Sequence, residues 1–467
     1  MLRTSSILKT FRGCCLANPP GKPDQQKPGS GNSGAFLRSR VAVVLANVLH
    51  GQSLTEALRQ PQQQVAERDR ALLAELTYGV CREYFFLDAL ASLLFRQPMK
   101  KKDQDIHALV LSGLFQIMFT RIPIHAAIGE TAGAARILKK PWAVAVVNGI
   151  LRRFQREREQ LTEQIEQQAS VEVRFNQPAW FIDDLYKAWP RQAEAILEGL
   201  KLRPPFTLRV NLQRCELSEY ASVLAAKGLL SRPVSGIASA LVLEKPVSVS
   251  QLPGFDDGLV SVQDAGAQLA AFFLDAQPGM RVLDACAAPG GKTGHLLEHT
   301  SNLELVAVDV DEGRLARVAE NMQRLGFGPQ LVVADASRPA EEWSKGGFDR
   351  ILVDAPCTAT GVMRRHPDIK LLRKPRDVKA LVQRQKQILA EQWQLLKPGG
   401  KMLYATCSLL PQENDEQIGT FIKEHADARI VMLAFQKGIS TLHGLQLLPD
   451  TRETDGFYYA LLEKQKV

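Results

Sequence analysis

Along the first third of the chain, apolar residues recur at helical spacing. Val44, Leu45, Val48 and Leu49 share one face, Leu72, Leu73, Leu76 and Val80 follow the steps i, i+1, i+4 and i+8, and Ile106, Leu109, Val110 and Leu114 continue the pattern. This period predicts amphipathic helices. Strand-like alternation is almost absent between Val41 and Gln168, so residues 41–170 read as an all-α bundle. The nearly apolar run Ala108 to Phe119 is shorter than the ~20 residues a bilayer span needs. It predicts a buried helix and no membrane attachment.

The pattern changes near Pro178. A helical stretch is followed, after Pro204-Pro205, by the alternating segment Phe206-Thr-Leu-Arg-Val-Asn211. Residues 171–260 therefore read as a small α+β subdomain. From 261 to 467 short apolar runs alternate with helical stretches: Arg281–Asp284, Leu305–Asp309, Leu331–Val333, Arg350–Asp354 and Lys401–Ala405. One intervening helix carries Leu315, Val318, Met322 and Leu325 and stops at Gly326, a residue suited to a helix C-terminus. Apolar strands between helices predict a doubly wound, parallel α/β sheet of Rossmann-like type. The fold class is multidomain: helical bundle, small α+β unit, α/β domain.

Composition bounds this reading. At about 100–200 residues per domain, a long chain of this kind holds two to four, and 467 residues with 45% hydrophobic and 23% charged side chains exclude a disordered, collagenous or coiled-coil protein. The seven cysteines (14, 15, 81, 215, 286, 357 and 407) are odd in number and contain no C-x-x-C pair. They argue against a disulfide framework or a metal site and for a reducing, cytoplasmic setting. The net charge of +8 is unevenly spread: residues 1–40 hold seven basic residues and one acidic, leaving 51 and 49 for the rest. Residues 1–40 read as a flexible basic tail, and net charge is a poor guide to a partner.

Chemistry concentrates in the α/β region. Leu283-Asp-Ala-Cys-Ala-Ala-Pro-Gly-Gly-Lys-Thr293 follows the first apolar run and opens a helix. It lacks the first glycine of a P-loop, because Cys286 stands there, and it lacks G-x-G-x-x-G. A loop for close approach without a phosphate cradle suits S-adenosylmethionine (SAM). Asp309, at the end of the second run, is placed for its ribose, Asp335 after the third for its adenine, and Asp354 ends the fourth. A strand-end aspartate can equally cap the next helix.

Two cysteines end neighbouring runs, Cys357 in Val353-Asp-Ala-Pro-Cys357 and Cys407 in Tyr404-Ala-Thr-Cys-Ser408. A lone free cysteine is usually a small buried apolar residue. Two at adjacent strand ends beside a cofactor loop suit covalent catalysis instead. Cytosine C5 is a poor nucleophile until a thiolate adds at C6, and the base must leave its stack for that to happen. Asp354 is placed to stabilise the adduct. Arg364-Arg365-His366-Pro367 is expected to hold RNA backbone, with a solvated basic turn as the alternative. Arg152, Arg153, Arg156 and Arg158 carry the same two readings.

These motifs resemble those of the RNA (cytosine-5) methyltransferases, to which Arg364-Arg-His-Pro-Asp-Ile-Lys370 and Asp455-Gly-Phe-Tyr-Tyr459 also conform. Asp69-Arg-Ala-Leu72, Phe119-Thr-Arg-Ile-Pro-Ile-His-Ala-Ala127 and Asn148-Gly-Ile-Leu-Arg-Arg-Phe154 resemble a NusB-like RNA-binding domain. The resemblance spans roughly residues 41 to 465. Members with this domain order methylate 16S rRNA. It implies an RNA-binding role for 41–170 and 171–260, and a SAM-dependent methyltransferase at 261–467. It also implies Cys407 as nucleophile, Cys357 as the group assisting release, and Asp354 facing the base. The SAM pocket would comprise Cys286, Ala287, Ala288, Pro289, Gly290, Gly291, Lys292, Asp309, Asp335 and Asp354. No metal and no obligate protein partner are expected. Thr358 and Gly266 stand where the family pattern has Ser, without loss of a reactive group. The alternatives are a DNA cytosine methyltransferase using Cys357, and a non-catalytic RNA-binding factor.

Overall fold

The computed structural model describes residues 33–449 and 453–466. Its first unit is helical: α1 (Ser33–Leu49), α2 (Leu54–Gln64), α3 (Glu67–Arg82), α4 (Tyr84–Leu94), α5 (Gln104–Phe119), α6 (Ile124–Ile137) and α7 (Ala143–Gln168). The periodic residues face one core. Val44, Leu45, Val48, Leu73, Leu76, Val80, Ile106, Leu109, Val110 and Leu114 are all buried. Helix α5 is its axis, with every residue from Ala108 to Ile117 buried.

The boundary at residue 40 is corrected. Helix α1 starts at Ser33, with Ala35 and Leu37 buried. Arg38 is buried as well, and its guanidinium holds the Gln116 side chain at 2.9 and 3.0 Å in the last turn of α5. Two basic residues assigned to the tail, Arg38 and Arg40, thus belong to the bundle. The short run Ala35-Phe36-Leu37, followed by Arg38 and Arg40, carries too little periodicity to be read by itself. The remainder of the tail, residues 1–32, lies outside the described residues.

Three helices, α8 (Val171–Phe175), α9 (Ala179–Ala188) and α10 (Ala193–Lys201), lead to a small antiparallel sheet. It contains β1 (Phe206–Val210), β2 (Ser231–Val234), β3 (Ile237–Leu243) and β4 (Val260–Val262) in the order β2-β3-β1-β4, with α11 (Leu217–Ala226) against one face. Because β4 pairs Leu208 with Val262, the boundary drawn at residue 260 cuts a strand. The small unit runs to Val262.

The large unit begins with α12 (Ala265–Leu274). Its sheet holds β5 (Arg281–Asp284), β6 (Glu304–Asp309), β7 (Gln330–Val333), β8 (Phe348–Asp354) and β9 (Leu396–Thr406). These five strands are parallel neighbours, and each coincides with or contains a run read from the sequence. The helices between them are α13 (Gly291–His299), α14 (Glu312–Leu325), α15 (Glu341–Ser344), α16 (Ile369–Leu372) and α17 (Pro375–Leu395). Gly326 closes α14 in the left-handed conformation.

After α18 (Asp415–Glu424) come β10 (Ala428–Val431), β11 (Ile439–Ser440), β12 (Leu445–Leu447) and β13 (Phe457–Lys464). Strand β13 runs antiparallel beside β9 and carries β10 and β12, so the sheet order is β11-β12-β13-β9-β8-β5-β6-β7. The sheet is mixed, which corrects the all-parallel expectation. Phe457–Leu462 is as apolar as a parallel strand, and apolarity reports burial on both faces rather than direction.

Candidate active site

Strand β5 ends at Asp284, and the chain turns through Cys286–Gly290 into α13. The turn needs a left-handed residue, and Gly290 takes it at φ +92°; a Cβ there would meet Val318 at 3.1 Å. The loop is tied to the next strand: Ala287 N–H donates to Val308 O at 2.9 Å, and Ala288 N–H to the Asp309 carboxylate at 3.1 Å. The other Asp309 oxygen accepts from Asp311 N–H, and Arg314 lies 3.5 Å away. Asp309 is almost wholly buried, and its carboxylate braces this loop.

One group here lacks a partner. Asp284 is fully buried; Thr293 donates to its Oδ2 at 2.7 Å, while its Oδ1 has no hydrogen-bond partner. Burial is the main reason its carboxyl is pushed up to about 7, against the Thr293 bond. A buried carboxylate oxygen with no donor, beside a loop of Ala and Gly, fits a small ligand bearing a cationic amine and a nucleoside, as SAM does. Cys286, Pro289, Gly291 and Lys292 keep solvent access, whereas Ala287, Ala288 and Gly290 are buried. Asp335, at the end of β7, is held by Arg384 on α17 at 2.5 Å and by Ser337. The Arg384 hydrogen bond lowers its carboxyl to about 2.

Across the sheet edge, β8 ends at Asp354 and β9 at Thr406. Parallel register places Asp354 opposite Ala405, so the following loops carry Cys357 and Cys407 to one point. Their Sγ atoms are 3.5 Å apart. Cys357 is buried and Cys407 only partly so. The hydrogen bond to Cys407, then burial, raise the Cys357 thiol well above its ordinary value. Cys357 is therefore held in its protonated form, within hydrogen-bond distance of Cys407. Lys292 pairs with Asp354 at 2.7 Å and lies over the Phe457 ring. Burial works against its charge, but Asp354, Cys407 and Asp284 outweigh it and raise the ammonium. A lasting positive charge thus stands near the partly exposed thiol.

A residue not singled out from the sequence fixes both loops. Glu413 is fully buried. Its Oε1 accepts from Thr358 N–H at 2.8 Å and Gln385 at 3.1 Å, and its Oε2 accepts from the Thr358 and Ser408 hydroxyls, both at 2.5 Å. Thr358 follows Cys357 and Ser408 follows Cys407, so one carboxylate holds both. At Gly266 a Cβ would meet Phe457 at 2.8 Å and Asp264 at 3.1 Å, so the small residue suits this site.

The reading of Arg364-Arg365 as an RNA contact is corrected. Arg364 has no exposed side-chain surface and pairs with Asp455 at 2.6 Å; Arg365 pairs with Asp455 at 2.8 Å and Asp264 at 3.0 Å. The rest of the motif docks the helical unit. Asp368 accepts from Leu54 N–H at 2.9 Å, and Lys370 donates to Arg82 O at 2.5 Å and Asn176 O at 2.8 Å. The acids and carbonyls that take up these charges lie far away in sequence. Arg153 and Arg156 meet Glu157 on the surface of α7.

The structure therefore brings Cys357, Cys407, Asp354 and Lys292 together and ties Asp309 to the glycine loop. Asp335 follows Ala334, whose N–H donates to Asp309 O at 3.0 Å, and its carboxylate is held by Arg384. Among the described residues no group of His, Cys, Asp or Glu is arranged to hold a metal, and no helix is long and apolar enough to cross a membrane.

Known proteins are similar throughout. A family described as 16S rRNA methyltransferase RsmB/F matches residues 271–463, the NusB family residues 37–156, and an RsmF/B-like ferredoxin-like domain residues 177–250. Ribosomal RNA small subunit methyltransferase B of Vibrio cholerae serotype O1 is 45% identical over 92% of this chain and 98% of its own. The crystal structure of PH0851 has a similar fold, with a TM-score of 0.78 at 23% identity over 92% of this chain and 99% of that one. A methyltransferase homolog from Pyrococcus horikoshii gives a TM-score of 0.55 at 29% identity over 63% of this chain and 97% of its own.

Proposed function

The chain belongs to the 16S rRNA methyltransferase RsmB/F family, and from that premise we propose that it methylates carbon 5 of a cytosine in 16S rRNA, in the cytoplasm, with SAM as donor. The observation that carries the mechanism is the pair of thiols 3.5 Å apart at two strand ends, beside the Lys292–Asp354 pair.

Residues Cys286 to Lys292 would hold SAM, with Asp309 toward the ribose, Asp335 toward the adenine and the free oxygen of Asp284 toward the amino group. Bound there, SAM supplies an electrophilic methyl group. Cys407 is the partly exposed thiol, 3.5 Å from Cys357. As thiolate it adds to C6 of a flipped-out cytosine and makes C5 nucleophilic. Asp354 would face N3 as its protonated acid and donate that proton to the ring as negative charge reaches it, with Lys292 beside it taking up the resulting carboxylate. After methyl transfer Cys357 gives its own proton to solvent and, as thiolate, takes the proton lost from C5, and Cys407 leaves as a thiolate as the C5–C6 double bond reforms. Residues 41–170 and 171–260 carry the RNA to this site, and no protein partner is required.

The test is methyl transfer from labelled SAM to small-subunit rRNA lacking the modification, with the product mapped as 5-methylcytosine. Cys407→Ala is expected to abolish transfer, and Cys357→Ala to accumulate a denaturant-resistant protein–RNA adduct. Full activity of Cys407→Ala would overturn the assignment, as would methylation confined to DNA.

A further inference from the structure

The helical unit contains a cleft remote in sequence from the thiols. It lies between the end of α4 and the start of α5, under the loop that joins them, with a volume of about 470 Å³. That volume suits a nucleotide-sized ligand, for which pockets of about 300–1,000 Å³ are usual.

Its lining includes aromatic rings and cations, together with Asp88, Ser92, Pro98, Met99 and Gln104. Phe95 and His107 are stacked, ring centres 5.7 Å apart and 16° from parallel, and Tyr84 lies in the same lining. At the mouth are Arg96, Lys100 and Lys101, all exposed. The nearby acids are paired with other residues, Asp88 within the cleft itself. Asp103 and Asp105 hold Lys140 at 3.0 and 2.6 Å, and Asp88 holds His107 at 2.9 Å. No carboxylate among the described residues lies within ion-pair distance of Arg96, Lys100 or Lys101. Basic residues after a helix can serve its dipole, but that effect fades within the last turn, and Lys100 and Lys101 lie beyond it. Rings beside unpaired cations suit a nucleobase and its phosphates; an acidic protein segment would use the cations and leave the rings idle.

Resting on the RNA methyltransferase reading above, we propose that this cleft binds an unpaired nucleotide of the substrate RNA, the base against Tyr84 and the Phe95–His107 stack and the flanking phosphates on Arg96, Lys100 and Lys101. It is a docking site for RNA held away from the reacting base, so its loss acts on affinity and leaves the chemical step alone.

The test uses the full chain, a labelled single-stranded oligouridylate and the unmodified rRNA, with affinity measured against salt. Arg96→Ala/Lys100→Ala/Lys101→Ala is expected to weaken binding at least tenfold. Its log-affinity against log-salt slope should be shallower by about 2, as for three phosphate contacts on a single strand. Phe95→Leu should weaken binding about tenfold with the slope unchanged. In methylation assays both should raise the KM for rRNA and leave kcat unaltered. Parent-like affinity and slope in the triple variant would overturn the proposal. A lost slope with no effect of Phe95→Leu would overturn the base-binding part. RNA binding that the triple variant weakens, in a parent protein with no methyl transfer, would sink the enzymatic reading and leave the cleft standing.

Discussion

Two basic stretches of this chain are nearly alike on paper and opposite in space. Arg96 and Lys100–Lys102 end in open solvent, while Arg364 and Lys370 lie inside the protein and Arg365 is half-buried. The difference lies in the acids and carbonyls that reach them. Asp455, Asp264 and the carbonyls of Arg82 and Asn176 converge on the second stretch. The acids near the first are taken by Lys140 and His107. A run of positive charge therefore points to nucleic acid only after its possible partners have been accounted for. Buried, it is a joint: residues 364–372 fasten the helical unit to the large one.

The widest test of the contrast is Arg364→Ala. It removes one of the two arginines on the buried Asp455 and leaves Arg365 at 2.8 Å, so the loss should reach up to about 3–5 kcal/mol, the cost of breaking a buried pair. Urea denaturation should show that loss; a change below about 1 kcal/mol would mean water replaces the arginine freely.

Lys370 offers a finer test through pH. Burial pushes its ammonium down to about 7, against about 10.4 in an unfolded chain. Between those values the unfolded chain binds more protons, so this group's contribution to stability rises with pH and is complete above the unfolded value. Relative to Lys370→Met, the parent should gain roughly 2 kcal/mol between pH 7 and pH 9. Parallel curves would show that Lys370 stays charged in the folded protein. The smallest effect belongs to the exposed stretch: Arg96→Ala/Lys100→Ala/Lys101→Ala should shift stability by less than about 0.5 kcal/mol. A larger shift by thermal or urea unfolding would show that those residues brace the helices after all.

The same contrast marks what the sequence made legible. Local signals were enough for β5 to β9, for the helix ending at Gly326 and for the cysteines at adjacent strand ends, because apolar runs, a glycine and a repeated strand-end position can each be read in one window. Long-range pairings were not. Arg364 meets Asp455 after 91 intervening steps, and nothing near either residue announces the other. The direction of β13 was hidden because burial has no sign. Glu413 was missed for a related reason: an acidic residue three positions after Leu410 looks like a surface turn until Thr358 arrives from the other loop.

Glu413 has a consequence for precision. Two thiols on separate loops would ordinarily wander independently, and the gap between them would vary with the sum of both motions. Here one carboxylate grips the residue after each. A displacement of that anchor carries both sulfurs in the same sense, so the error becomes common-mode and the gap between them is spared. The pair behaves as the two jaws of a single rigid tool, set by one pin.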